Sequence, residues 1–343
     1  MNIFITGGAG FIGVHTANYY LSKGDKITIF DNFFRNGTRE NMEWLEKKCG
    51  VKSIEVIEGD VRDFEKLKKS ILGHDVIIHL AGQVAVTTSV VNPREDFEIN
   101  ALGTFNVLEA VRLYIPNSIL LFASTNKVYG GMEEIKIIKK GKKYIYRDLP
   151  GGIAESQNLD FHSPYGCSKG TADQYVRDYH RIYGLKTVVF RQSCIYGTHQ
   201  FGIEDQGWVS WFTIAAVLGK PITVYGDGMQ VRDVLFVEDL VRAYDTAVTN
   251  IDKAAGKIYN VGGGPEFTLS LLELLALLEK KLDRKIPYAF ADWRPGDQPV
   301  YVSNISKIKK ELGWDPKIDV AEGTSRMIDW IVKEKDLIEK VLK

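Results

Sequence analysis

An α/β fold is predicted: a parallel sheet covered by helices on both faces, followed by a smaller α/β carboxy-terminal region. Three observations predict it. Short apolar runs alternate with segments of helical period through the first half of the chain. A glycine cluster, GGAGFIG, follows directly on the first run, where a strand would turn into a helix. After about Arg191 the rhythm changes, with glycines and aromatics crowding FGIEDQGWVSWF and leucines recurring in LSLLELLALLEKKL.

Each element follows from its pattern. NIFI, KITIFD, SIEVIEGD, DVIIHLAG and SILLFAS are short apolar runs, so they read as strands buried on both faces. Helical period runs from about Phe97 to Tyr114 and from about Tyr165 to Tyr183, and the strand KTVVFR comes next. Residues 1–190 are thus expected to form a dinucleotide-binding domain of Rossmann type, with some later segments returning to it. Residues 191–343 are expected to be mainly a substrate-binding domain, with a cleft between the two. The leucine stripe packs an ordinary helix, because it sustains no heptad over the length a coiled coil needs. ISKIKKELGWDP and VAEGTSRMIDWIVKE read as two short surface helices.

The 343 residues carry 44 basic and 44 acidic side chains. Such balance gives no long-range pull toward nucleic acid or an anionic membrane. The one basic cluster, Lys136 to Lys143 in KIIKKGKK, has little aromatic interleaving and reads as a solvated loop. The first apolar run, Ile3 to Ile5, is too short for a signal peptide, and no later run reaches the length of a membrane span. A soluble, cytoplasmic protein is expected. Cys49, Cys167 and Cys194 show no paired spacing, which suggests neither a disulfide framework nor a thiolate metal cluster. The six histidines form no close ligand pair, so His79 and His180 are read as packing or surface groups and no metal is expected.

Gly7, Gly10 and Gly13 stand where a dinucleotide loop needs them. Gly7 permits the tight turn, Gly10 lets backbone approach a pyrophosphate at a helix amino terminus, and Gly13 lets that helix pack on the sheet. Asp31 ends the next strand, where a carboxylate accepts the adenosine ribose hydroxyls and repels a 2'-phosphate, favouring NAD over NADP. Asp60 and Val61 follow the third strand, near the expected adenine edge; Asp60 reads equally well as a turn cap. Leu80 to Gln83 close the fourth strand, and the small Ala81–Gly82 backbone admits the cofactor closely.

Tyr165 and Lys169, in SPYGCSKG, share one helix face. A free phenol titrates near pH 10, and an ammonium within roughly 4–6 Å lowers an acid's pKa by about 1–3 units. The pair is expected to act as a base on a hydroxyl while a nicotinamide takes the neighbouring hydride. Thr125, ending the fifth strand in FASTNKVYG, is placed to hydrogen-bond the reacting oxygen, with Ser124 as the neighbouring alternative on the packed side.

Longer phrases carry a resemblance: LAGQVAVTTSVVNPREDFEINALGT, STNKVYG, LDFHSPYGCSKG, and DQGWVSWF followed by QVRDVLFVEDL. Over essentially its whole length the chain resembles the extended short-chain dehydrogenase/reductase family, in its branch of nucleotide-sugar epimerases and dehydratases. The resemblance implies catalytic roles for Thr125, Tyr165 and Lys169. It implies tightly bound NAD, regenerated each turnover, against Gly7, Gly10, Phe11, Ile12, Gly13, Asp31, Asn32, Asp60, Val61, Leu80, Ala81 and Gln83. Asn100, Ser124, Tyr165, Lys169 and Gln192 complete that set, Asn100 more as an ordering residue than a proton carrier. A nucleotide-diphosphate sugar is implied against Gln83, Val86, Thr125, Asn126, His162, Tyr165, Cys194, Gln206, Trp208, Val209 and Tyr225. Arg232 and Arg294 match positions that hold the diphosphate or nucleotide ribose, a use suited to the guanidinium fork; pairing with Asp233 or Asp297 is the plainer reading of either.

Departures from the family pattern narrow the reaction. Dehydratases of this branch place an acidic pair after the catalytic threonine; here Asn126 and Lys127 stand there, which disfavours elimination. Cys194 replaces an asparagine usual in 4-epimerases. Residues 131–157 form a longer connection than in many 4-epimerases, read as a rim or lid over the sugar or as a polar surface excursion. The implied reaction is inversion at carbon 2 of a CDP-linked 3,6-dideoxyhexose through a transient 2-keto sugar. Alternatives are a UDP-glucose-type 4-epimerase and a relaxed 2-epimerase acting on CDP-glucose or other nucleotide hexoses. A homodimer or homotetramer built on the helices of Asn100 and Tyr165 is expected.

Overall fold

Continuous apolar runs become strands, and the amphipathic segments between them return the chain to the same edge of one sheet. The computed structural model describes residues 1–50, 54–294 and 297–343. The Ser53 end of the expected third strand and the Pro295–Gly296 step of WRPGD lie outside the described residues. The chain begins with β1 (Asn2–Thr6), α1 (Phe11–Ser22), β2 (Lys26–Asp31), α2 (Thr38–Cys49), β3 (Ile54–Glu58), α3 (Phe64–Ser70) and β4 (Val76–His79). It continues through α4 (Val86–Val91), α5 (Pro93–Phe97), a π turn at Glu98–Leu102, α6 (Gly103–Tyr114) and β5 (Ile119–Thr125). Next come a 3-10 turn at Asn126–Tyr129, the hairpin β6 (Ile137–Lys140) and β7 (Lys143–Tyr146), α7 (Ser163–Tyr183) and β8 (Lys186–Gln192). The later part contains β9 (Cys194–Tyr196), α8 (Trp208–Leu218), β10 (Ile222–Tyr225), β11 (Val231–Phe236), α9 (Val237–Thr249), α10 (Ile251–Ala254) and β12 (Ile258–Val261). It ends with β13 (Thr268–Ser270), α11 (Leu271–Leu282), β14 (Tyr288–Ala291), β15 (Val300–Tyr301), α12 (Ser306–Leu312), α13 (Val320–Lys333) and α14 (Lys335–Val341).

Seven strands form a parallel sheet in the order β12-β8-β5-β4-β1-β2-β3. The Rossmann-type sheet expected from the sequence is therefore present. Alternate residues of each strand point to opposite faces. Ile3, Ile5, Ile27 and Ile29 pack on one side, and Phe4, Phe30, Ile77 and Phe122 on the other. The strand order turns back at β1, between β2 and β4, and the carboxyl ends at such a point are where open sheets hold ligands. The smaller carboxy-terminal sheets pair β10 with β14 and β11 with β9, β13 and β15. Their leucine-rich helix α11 starts from a reciprocal cap between Ser270 and Glu273 and buries Leu274, Leu275 and Leu278.

Three local features differ from the simplest sequence reading. The helical stretch ending at Tyr114 is interrupted by the π turn, where the Asn100 side chain reaches back to Asp96 at 3.0 Å and out to the Gln83 carbonyl at 2.9 Å. The chain ends in three helices rather than two, since Lys335–Val341 forms α14 and buries Ile338 and Val341. The hairpin within residues 131–157 is fastened to the carboxy-terminal region. The Tyr144 amide donates to the Met229 carbonyl at 3.0 Å, Tyr146 Oη to the Val300 carbonyl at 3.0 Å and Ser270 Oγ to the Lys142 carbonyl at 2.9 Å.

Two histidines, His15 buried and His199 half-buried, meet where α1 packs on the later part of the chain. His15 Nε2 lies 2.8 Å from the Thr198 carbonyl oxygen, and the His199 ring lies tilted over Trp44, 3.9 Å centroid to centroid. Burial pushes His15 down to about 4 and His199 down to about 3, from an ordinary 6.5. Both folded values lie below the unfolded one, so the stability they contribute is intact above about pH 6.5 and lost as pH falls toward 4. Each histidine steepens the loss by up to about 1.4 kcal/mol per pH unit. Melting temperature is expected to hold steady above about pH 7 and to drop between about pH 6.5 and 4.5. His199→Asn, which tolerates the positive φ of 63° there, should flatten that drop; parallel curves would exonerate the histidine.

Candidate active site

The turn after β1 is shaped for close backbone contact. Gly7 has φ +66°, and a Cβ on it would stand 2.7 Å from the Ala81 nitrogen. A Cβ on Gly13 would stand 2.5 Å from the Gly7 carbonyl oxygen, so α1 can approach the loop only with glycine there. Gly10 begins α1 without any side-chain cap, leaving the first-turn amides of Phe11, Ile12 and Gly13 facing the loop as an anion cradle. Asp31 accepts the Ala9 amide at 3.0 Å and the Phe33 amide at 2.9 Å, one on each oxygen. Burial raises its carboxyl, the amide donors oppose that, and each oxygen keeps a lone pair for a ribose hydroxyl. These features fit a dinucleotide. Asn32 donates to Asp60 at 2.9 Å, and Asp60 also caps its own turn and pairs with Arg62 at 2.8 Å, which holds its carboxyl at about 2. Val61 is buried beneath the α6 residue Asn106, which donates to its carbonyl at 2.9 Å.

The β4 end forms the opposite wall. His79 is a packing residue, bonded to Thr6 at 2.6 Å and Thr104 at 3.0 Å. Thr6 in turn accepts the Ala81 amide at 3.2 Å, one residue beyond the half-buried Leu80. Gln83 spends its side chain on Ala85 and Asp96, and Val86 opens α4 beside it. Asn100 Nδ2 supports this loop while its Oδ1 is unpartnered and faces Gly82.

Thr125, Tyr165 and Lys169 converge at the carboxyl end of β5. They are 8%, 8% and 7% exposed, and Thr125 lies in register with Gln192 of β8. The Thr125 hydroxyl lies beside the Tyr165 phenol and favours its ionised form. Lys169 donates to the Ala123 carbonyl at 2.7 Å and lies 4.3 Å from the Phe122 ring centre. Here the electrostatics differ from the expectation. Burial pushes the phenol up to about 12, against the opposing Thr125 hydroxyl, and pushes the ammonium down to about 8. Desolvation is the largest influence on both groups and acts against the charged form of each. The Ser124 hydroxyl donates to Asp173 at 2.7 Å, on the packed side of the strand.

The remaining candidates line the carboxy-terminal side. Asn126 accepts the Thr125 hydroxyl at 3.3 Å, and Gln192 donates to Tyr244 at 2.5 Å. Cys194 pairs in register with Val234, near Arg232 and the Trp208 indole, and burial lifts its thiol to about 12. Val209 is buried, Gln206 exchanges backbone bonds with Ile203, and His162 is exposed at the start of α7. Arg232 pairs with Asp297 at 2.8 Å and donates to the Gln298 carbonyl at 2.7 Å. Arg294 pairs with Asp205 at 3.0 Å and covers the Tyr225 ring at 3.8 Å. Asp233 is taken by Ser193, Ser303 and the Gly264 amide instead. Gln298 and Asp96 belong to this surrounding as well; sequence reasoning missed both, because nothing local marks a glutamine or a helical acid that works through distant partners.

No helix among the described residues is long and apolar enough to cross a membrane, and none of their His, Cys, Asp and Glu side chains group as metal ligands. A model of the GDP-mannose 4,6 dehydratase family matches residues 4–327. A CDP-paratose 2-epimerase of Salmonella typhi is 46% identical over 337 residues, covering 96% of this chain and 99% of that protein. The UDP-glucose 4-epimerase of Thermotoga maritima, solved with UDP-glucose, superposes with a TM-score of 0.84 at 28% identity, covering 98% of this chain and 100% of that one. A dTDP-glucose 4,6-dehydratase of Streptomyces venezuelae, solved with NAD, gives 0.85 at 27% identity, covering 99% and 100%. With the glycine turn, the threonine–tyrosine–lysine group and a match along almost its entire length, the chain belongs to the GDP-mannose 4,6 dehydratase family of nucleotide-sugar epimerases and dehydratases.

Proposed function

We propose that this protein is an NAD-dependent epimerase inverting carbon 2 of a CDP-linked 3,6-dideoxyhexose, interconverting CDP-paratose and CDP-tyvelose. The observation that carries the reading is the 46% identity, across 96% of the chain, to a CDP-paratose 2-epimerase. Asn126 and Lys127 agree with it, since neither can serve as the acidic pair that dehydration would use.

In this mechanism Tyr165 Oη takes the proton of the carbon 2 hydroxyl, and Thr125 Oγ1 bonds the same oxygen as it becomes a ketone. Lys169 holds charge beside the phenol. The Gly7–Gly13 turn and Asp31 would hold NAD, which when bound would supply reversible hydride acceptance at carbon 2 and positive charge favouring phenolate. Tyr165 then gives its proton back to the new alkoxide, so nothing is consumed. Tyr165→Phe removes the proton-accepting oxygen and keeps the ring; turnover is expected to fall at least about 100-fold with NAD content unchanged. Undiminished turnover would discard the proposed base.

A 4-epimerase reading draws on the likeness to the Thermotoga maritima enzyme. Substrates deuterated at carbon 2 or carbon 4 separate the two. The 2-epimerase moves only the carbon 2 label, with a primary isotope effect, and label movement confined to carbon 4 would overturn it.

A homodimer is also proposed. Phe97, Phe105, Tyr175, Ile182 and Tyr183 are large exposed apolar side chains carried by α5, α6 and α7. Exposed apolar side chains on these neighbouring helices are the kind of surface that a subunit contact covers. Sedimentation is expected to find a dimer, or a tetramer built from it, that Tyr175→Glu weakens; a wild-type monomer at micromolar concentration would refute this.

A further inference from the structure

Among the described residues no carboxylate forms an ion pair with Lys127. Lys127 follows Thr125 by two positions on the 3-10 turn, and its amide donates to the Thr125 hydroxyl oxygen at 3.3 Å. The side chain is half-buried, and the hydrogen-bond acceptor it has found is neutral, the Gln298 side-chain oxygen at 3.3 Å. The nearby Asp297 carboxylate is already paired with Arg232. Burial and the Arg232 charge push Lys127 down to about 8, against the opposing charge of Asp297. Two cations converging in a partly dry cleft are unfavourable unless an anion binds between them.

Gln298 fixes where that anion would lie. Its side-chain nitrogen donates to the Gly130 carbonyl, its side-chain oxygen accepts Lys127, and its backbone carbonyl accepts Arg232. Gln298 thus ties the Lys127 ammonium to the neighbourhood of Arg232, while the Lys127 backbone amide bonds the Thr125 hydroxyl oxygen. In a nucleotide sugar, the sugar-side phosphate is joined through oxygen to carbon 1. Carbon 2 is the next atom of the ring, whereas carbon 4 lies across it. A phosphate held beside Thr125 thus brings carbon 2 to the phenol and carries carbon 4 away. A carboxylate at position 127 would repel that phosphate and remove the preference.

We infer that Lys127 binds the sugar-side phosphate of the substrate and, by holding it near Thr125, selects carbon 2 for reaction. The inference rests on the 2-epimerase reading for the reacting carbon, but the phosphate contact can be measured apart from it. CDP carries the phosphate in question and CMP lacks it. Titrating the NAD-containing protein with each, Lys127→Met is expected to weaken CDP about 10- to 100-fold and leave CMP unchanged. Lys127→Arg should keep most of the CDP affinity. Equal weakening of CDP and CMP, or of neither, overturns the inference. Wild-type titration with the uridine and guanosine pairs tests the cytidine reading separately. If another base binds, the diphosphate-to-monophosphate ratio for that base still decides the role of Lys127.

Discussion

A buried ion pair beneath the cleft, Arg191 with Asp173, is the constraint on which the site depends. Its side chains are 2% and 0% exposed and meet at 2.9 Å. Asp173 lies on α7 four residues past Lys169, which lies four past Tyr165, so one stripe of a single helix carries base, ammonium and anchor. The anchor reaches outward. Ser124 of β5 donates to Asp173, Arg191 donates to Tyr129 at 3.1 Å, Tyr129 to Asn260 at 2.7 Å, and Asn260 to the Ile153 carbonyl at 2.8 Å. Helix, central strands, 3-10 turn, edge strand and the segment after the hairpin are thereby locked to one another. Removing one partner would leave the other charge buried without compensation, at a cost of roughly 3–5 kcal/mol.

The same dryness that strengthens this network works against the groups doing the chemistry. It disfavours phenolate at Tyr165 and ammonium at Lys169 and Lys127. A cleft of this kind gains charge stabilisation from what enters it, and it is inert toward stray hydroxyls when its proper ligands are elsewhere. Spacing along a helix told where the phenol and ammonium would meet. It carried no information about how far from water they would be.

That division describes most of what could be read in advance. The parallel sheet was legible because NIFI, KITIFD and SILLFAS have no polar face, and the glycine turn because Gly7, Gly10 and Gly13 answer to steric limits that a sequence displays directly. The order of the strands, with β12 beside β8, depends on chain reversal and packing, which leave no local trace. The arginines were equally ambiguous. Pairing with a carboxylate was foreseen, yet Arg294 chose Asp205, which is 89 positions away in sequence and only 3.0 Å away in space. Contacts across such gaps, like Lys127 with Gln298, are products of the fold rather than of any neighbourhood in the chain.

The return of β12 to the sheet has a consequence for how the protein can be divided. Ile258–Val261 supplies the parallel partner that covers the outer side of β8. A fragment stopped near residue 190 would expose that row of unpaired amides and carbonyls along a hydrophobic strand, an invitation to edge-to-edge aggregation. Nascent chains leaving the ribosome must pass through the same stage, holding an incomplete border until about seventy further residues have emerged.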